Sequence, residues 1–173
     1  MSSTIPDLIV SFTALLAQLT AAQAQQQTTS AALAVAQTNF ETVRYDQTIP
    51  VATRSEAKYS LEILQDDAKQ QQAGIVDLQN QLTRAAGELR NTIRGQIGAA
   101  VHTQMLALTA AIVSDYVVER LPFPPDVIAA QSRSLLPWQV LSTSLDIATR
   151  PQDDWNQFVT NAQSAQTALA ALP

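Results

Sequence analysis

Cysteine is absent from this chain of 173 residues, and histidine occurs once, as His102. The lack of cysteine excludes disulfides, cysteine-ligated zinc, iron–sulfur clusters and thiol catalysis. A single histidine cannot supply the two Glu-x-x-His motifs of a bundle di-metal site. The sequence also lacks a G-x-S-x-G nucleophile elbow and a lysine-containing phosphate loop. We therefore expect a chain that is not an enzyme, with no catalytic residue, no cofactor and no metal.

Glycine (4 residues) and aromatic residues (5%) are scarce, which argues against β-sheet folds. Basic residues number 10 against 15 acidic ones, so the chain lacks the positive charge that a nucleic-acid partner requires. Ala and Gln, two good helix formers, are over-represented. A hydrophobic content of 46% is too high for a disordered chain. These features together predict an all-α protein that does not bind nucleic acid.

Two long helices are predicted in the first 120 residues. TIPD at residues 4–7 matches the capping box of a helix start, with proline in the first turn. We expect helix 1 over residues 5–45 and a break at Pro50, because proline cannot continue a helix. Helix 2 is expected over residues 55–120, with a second box, TRSE, at residues 53–56. Its first half carries a narrow apolar stripe with coiled-coil spacing, formed by Ile75, Leu78, Leu82, Ala85 and Leu89.

Three prolines between residues 122 and 125 end helix 2, and shorter helices are expected over residues 126–172. One should span residues 126–135, and the next should begin near Pro137 and carry Trp138. The last helix has apolar residues spaced three and four apart, as expected for one buried face: Trp155, Phe158, Ala162, Ala165, Leu169 and Leu172.

The predicted elements assemble into a single helical domain, residues 1–173. Helices 1 and 2 fold back as a long antiparallel hairpin, a coiled-coil-like stalk, which joins a small helical bundle made with the C-terminal helices. The alternative is a compact bundle in which helix 2 is broken near Gly87, Gly95 or Gly98.

Residues 95–113 form a long apolar run. In the predicted antiparallel hairpin, residue 95 of helix 2 lies opposite residue 5, where helix 1 starts, so this run extends past helix 1. Polar residues within this run make it a poor constitutive membrane span, so we expect a covered helix instead. Residues 8–24 imitate a secretory signal, but no basic residue precedes them, which favours a helix start. The sequence predicts a soluble chain without a convincing signal peptide or transmembrane helix, and it leaves the localisation unknown.

Nine residues are candidates for the core or for a partner interface: Ile97, Val101, Met105, Leu108, Ile112, Trp138, Trp155, Phe158 and Leu169. The predicted function is that of a non-catalytic structural subunit, a helical protein that associates with itself or with another helical protein. By composition alone, virion, injection-machine or secreted assemblies contain such chains. The alternative is a conditional membrane-active protein, such as a component of a pore-forming toxin, that uses residues 95–113.

Overall fold

The computed structural model describes residues 4–112 and 155–171, which contain three helices and no strand. Helix α1 spans Ile5–Arg44, α2 spans Val51–Ile112 and α3 spans Trp155–Ala170. The two long helices pack against each other, and α3 contributes to a small bundle, which confirms the predicted all-α fold. The helices expected at 126–135 and from Pro137, and the 113–120 end of predicted helix 2, lie outside the described residues.

The start of α1 is held by a reciprocal pair of side chains, as the TIPD box predicts. The Thr4 backbone N–H donates to Asp7 Oδ2 at 3.2 Å, and the Thr4 hydroxyl donates to the same oxygen at 2.6 Å. The Asp7 N–H in turn donates to Thr4 Oγ1 at 3.4 Å. These bonds satisfy backbone donors that have no partner within the helix, and they confirm the predicted cap.

A short turn at residues 45–50 reverses the chain between α1 and α2. Asp46 Oδ1 accepts hydrogen bonds from the backbone N–H of Thr48 at 2.8 Å and from its hydroxyl at 2.6 Å, which closes an Asx turn. The Pro50 carbonyl accepts from the Arg54 N–H at 3.2 Å, so the first helical bond of α2 already starts there. Helix α2 therefore begins at Val51 rather than near residue 55, and TRSE lies inside the helix.

Helix α2 is continuous from Val51 to Ile112, so the alternative with a broken second helix is wrong. Glycines lower helix stability by roughly 1 kcal/mol each relative to alanine, but they keep the backbone hydrogen bonds that hold the helix together. A β-carbon added at any of the four glycines would meet no atom within 4 Å apart from the adjoining backbone of its own helix. No close approach of a neighbouring helix therefore requires glycine at these positions.

One compact unit, Ala14–Leu82, is the hairpin itself, and we call it the hairpin unit. From Leu19 to Leu82, the buried and half-buried residues of its two helices recur at spacings of three and four. We call this set the hairpin seam: Leu19, Ala22, Gln26, Thr29, Leu33, Ala36, Phe40 and Val43 of α1, with Arg54, Ala57, Leu61, Leu64, Ala68, Gln71, Ile75, Leu78 and Leu82 of α2. The Gln26 amide donates to Gln72 Oε1, which shows that these two residues lie at the same level of the antiparallel pair.

The second compact unit contains the start of α1, the part of α2 from Thr83 onward, and α3. We call it the bundle unit. Its buried hydrophobic residues come from all three helices: Ile5, Ile9 and Phe12; Ala86, Leu89, Ile93 and Ile97; and Phe158, Ala162 and Ala165. The spacings of three and four place each set on one helix face. The three buried residues of α3 belong to the stripe on which this helix was predicted.

Candidate interaction surfaces

Three aromatic rings form the anchor between α1 and α3 in the bundle unit. The Phe12 ring centroid lies 5.5 Å from that of Trp155 and 5.2 Å from that of Phe158, and both pairs are tilted. Trp155 and Phe158 meet edge to face at 6.5 Å. Tilted and edge-to-face pairs at these distances are favourable ring geometries. Because Phe12 and Phe158 are fully buried, this contact serves the core rather than an external partner.

A small groove lies at the other end of α3, between the start of α1 and α2. Its volume is about 250 Å³, and Thr4, Ile5, Pro6, Gln96, Gln166, Leu169 and Ala170 line it. No charged side chain lines the groove. With the aromatic anchor at Trp155 and this groove near Leu169, α3 runs antiparallel to α1. The lining of the groove contains no titratable side chain that could act as a general acid or base.

The nine sequence candidates occupy different environments. Ile97 and Phe158 are buried, and Val101, Trp155 and Leu169 are half-buried. Met105 is 41% exposed. The side chains of Leu108 and Ile112, and the whole of Trp138, lie outside the described set. Of the candidates, the structure brings Trp155 and Phe158 together around Phe12, which was not among the candidates.

In the described part of the apolar run at 95–113, Ile97 is buried and several other side chains are exposed. After Ile97, the side chains of Val101 and Gln104 are half-buried, while Leu106 is 57% exposed. His102 is exposed on the same stretch. Among the described residues, no group of three His, Asp or Glu side chains is arranged to hold a metal ion.

Large apolar side chains also lie exposed on the hairpin unit. Val35 on α1 is 61% exposed and Ile63 on α2 is 43% exposed. From the register of Gln26 with Gln72, a step of nine residues along each helix places these two side chains at the same level. Each follows a seam residue by two positions, which puts both on the same flank of an antiparallel pair. We call the side of the hairpin unit that carries these two side chains the Val35–Ile63 flank.

A second groove lies at the turn end of the hairpin unit, and we call it the tip groove. Its volume is about 300 Å³, and its lining combines two apolar residues, three basic residues and a hydroxyl: Phe40, Arg44, Val51, Arg54, Ser55 and Lys58. The Arg44 guanidinium lies 4.1 Å above the Tyr45 ring centroid and 6.0 Å from that of Phe40. Sequence reasoning missed this groove because its residues come from two helices on either side of a turn.

By length and composition alone, α1 is the one helix in the described part of the chain that is apolar enough to cross a membrane. Within its first half, Ile5, Ile9, Phe12 and Leu19 are buried, while Val10 is 69% exposed. The described portion of 95–113, the segment predicted from sequence for conditional membrane contact, does not pass the same test.

Comparison of the chain with protein-family models, with curated proteins and with solved structures found no match in any of the three.

Proposed function

We propose that this chain is a non-catalytic helical subunit that associates with copies of itself through the hairpin unit. The observation that carries the proposal is the incomplete core of that unit. All of Ala14–Leu82 is described, yet its buried hydrophobic residues are only Leu19, Leu61, Ile75 and Leu82. A pair of helices has a single line of contact, so most seam residues remain half-exposed.

Association with further helices would bury the apolar surface of the seam residues that stays exposed in the isolated hairpin. Two hairpins packed side by side give a four-helix bundle, in which each seam contributes to a shared core. Burial of apolar surface contributes about 25 cal/mol per Å², so the half-exposed seam and the Val35–Ile63 flank favour such packing. A second copy is the simplest occupant, because it brings the same two exposed apolar side chains, Val35 and Ile63, and closed two-fold symmetry.

Native mass by light scattering, over a wide concentration range, tests this function. We expect a multiple of the 18.7 kDa chain mass, and we expect the double variant Val35→Glu/Ile63→Glu to shift the mass to that of one chain. Both side chains are exposed in the single chain, so the variant should keep its helical circular dichroism. The matched control, Gln27→Glu/Gln65→Glu, adds the same charge at exposed positions off this flank. A native chain that stays at 18.7 kDa at every concentration contradicts self-association.

A second candidate function is conditional membrane activity, favoured by the length and apolar character of α1. In this version, the first half of α1 rather than residues 95–113 contacts lipid. Dye release from anionic vesicles at neutral and acidic pH tests it, with Val10→Glu as the diagnostic variant. Release that the variant reduces supports this function, and no release at either pH contradicts it.

A further inference from the structure

The tip groove gathers positive charge in a chain whose net charge is −5. Three of the ten basic residues line it, namely Arg44, Arg54 and Lys58, and no carboxylate is part of the lining. The turn at residues 45–50 brings these groups together from the end of α1 and the first two turns of α2. Three cations that line one groove repel one another, and a bound anion would lower that repulsion.

Arg54 contributes a donor without an acceptor. Its Nε atom is buried and has no hydrogen-bond partner. The carboxylate that acts on Arg54 electrostatically is Asp46, but Asp46 Oδ1 already accepts two hydrogen bonds from Thr48. A buried donor left unpaired is costly, and Arg54 is one of the residues that line the groove.

The other two cations are available to the same acceptor. The stacking of Arg44 over Tyr45 orients its planar guanidinium, so less side-chain entropy is lost when it binds. Lys58 pairs with Glu62 at 3.4 Å, but both side chains are more than half exposed, and such pairs contribute little. The first turn of α2 contains no acidic residue, so the positive end of its helix dipole is not neutralised there.

We propose that the tip groove binds a phosphate group, either as the free ion or as a monoester of a small molecule. A dianion suits three cations and a helix N-terminus better than a single carboxylate does. The guanidinium groups match the tetrahedral oxygens of phosphate, and the Ser55 hydroxyl adds a donor. A volume of about 300 Å³ leaves room for a group attached to the phosphate.

The charges around the groove favour a compact anion over a membrane surface. Four acidic residues surround the three cations along the sequence, Glu41, Asp46, Glu56 and Glu62. The turn end of the hairpin unit as a whole therefore carries no excess of positive charge, and the positive charge is confined to the groove. An anionic bilayer would meet the acidic side chains as well as the basic ones, whereas a single phosphate reaches only the groove.

The test is a titration of the full chain, labelled with nitrogen-15, with inorganic phosphate and with phenyl phosphate. Sodium chloride at matched ionic strength serves as the reference. We expect saturable shifts of the Arg54 side-chain N–H and of the Ser55 amide. Arg54→Gln and Lys58→Gln should each weaken binding about tenfold or more, since each removes a charged hydrogen bond. The matched control Lys69→Gln removes an exposed lysine that pairs with Asp66 and should leave the affinity unchanged.

The outcomes separate the sources of the phosphate. Tighter binding of phenyl phosphate identifies an ester, and equal binding identifies the free ion; both support the site. Shifts that sodium chloride reproduces overturn it, as do shifts that persist in both groove variants with helical circular dichroism retained. Binding to anionic vesicles without saturable phosphate binding overturns it too. The site does not depend on the proposed assembly, which the Val35→Glu/Ile63→Glu variant tests separately.

Discussion

The pairing of Thr4 with Asp7 links the start of α1 to pH. The hydrogen bonds from the Thr4 hydroxyl and backbone N–H stabilise the Asp7 carboxylate and lower its pKa below the ordinary 3.8. A carboxyl whose pKa is lower in the folded state contributes stability above its unfolded pKa. That contribution is lost as the pH falls through the folded value, so the cap weakens only in acid.

We predict that Asp7→Asn lowers the stability of the folded chain at neutral pH. The difference from the native chain should shrink below pH 3.8, where the native carboxyl also becomes neutral. Urea unfolding followed by circular dichroism, at neutral pH and below pH 3.8, measures this difference in stability. Thr4→Ala removes the partner and should remove the same pH dependence. A difference that stays constant across this range contradicts the assignment.

At the scale of elements, polar residues interrupt the hairpin seam. Gln26 and Thr29 on α1 and Gln71 on α2 occupy positions that apolar residues fill elsewhere along the seam. Gln26 is paired with Gln72, but the buried Oε1 atom of Gln71 has no hydrogen-bond partner. A polar seam residue lowers stability and favours one register over its alternatives.

We predict that Gln71→Leu stabilises the hairpin unit by about 1 kcal/mol, because it replaces an unsatisfied polar atom by apolar contact. Midpoints of urea unfolding measure the change. Gln70→Leu, one position away at an exposed site, is the control and should change stability by less than about 0.5 kcal/mol. An unchanged or lower midpoint for Gln71→Leu contradicts the prediction.

The helices themselves were predictable from local patterns, with one informative error. The stripes of α2 and α3 follow from spacings of three and four, and TIPD marked the start of α1 correctly. TRSE had the same form but lies inside α2, because the Pro50 carbonyl accepts the first helical bond. A capping motif indicates a helix start only where no earlier residue already caps the helix.

At the scale of the whole molecule, the chain divides into two compact units that share α1 and α2. Phe158 is a core residue of the bundle unit, where it is fully buried and contacts the Phe12 ring. Leu61 is a buried residue of the hairpin unit. A substitution at Phe158 therefore perturbs the bundle unit, and one at Leu61 perturbs the hairpin unit. Variants at these two positions can test the prediction that the chain is a single domain.

We predict that Phe158→Ala destabilises the bundle unit by about 3 kcal/mol or more, because it leaves a cavity in a small core. Hydrogen exchange read by mass spectrometry should then rise in peptides from residues 4–13, 83–112 and 155–171. Peptides from residues 14–82 should keep their protection. Leu61→Ala is the reciprocal variant and should show the opposite pattern. Equal increases throughout the chain for both variants support a single cooperative domain.

The sequence alone determined which segments are helical, which face of each helix is apolar, and that motifs for familiar chemistries are missing. These properties depend on residues within a few turns of one another. Only the tertiary structure decided that Phe12 anchors α3, and that Arg44 joins Arg54 and Lys58 in one groove. The first contact joins positions almost 150 residues apart, and the second depends on the turn at residues 45–50, which folds α2 back beside α1.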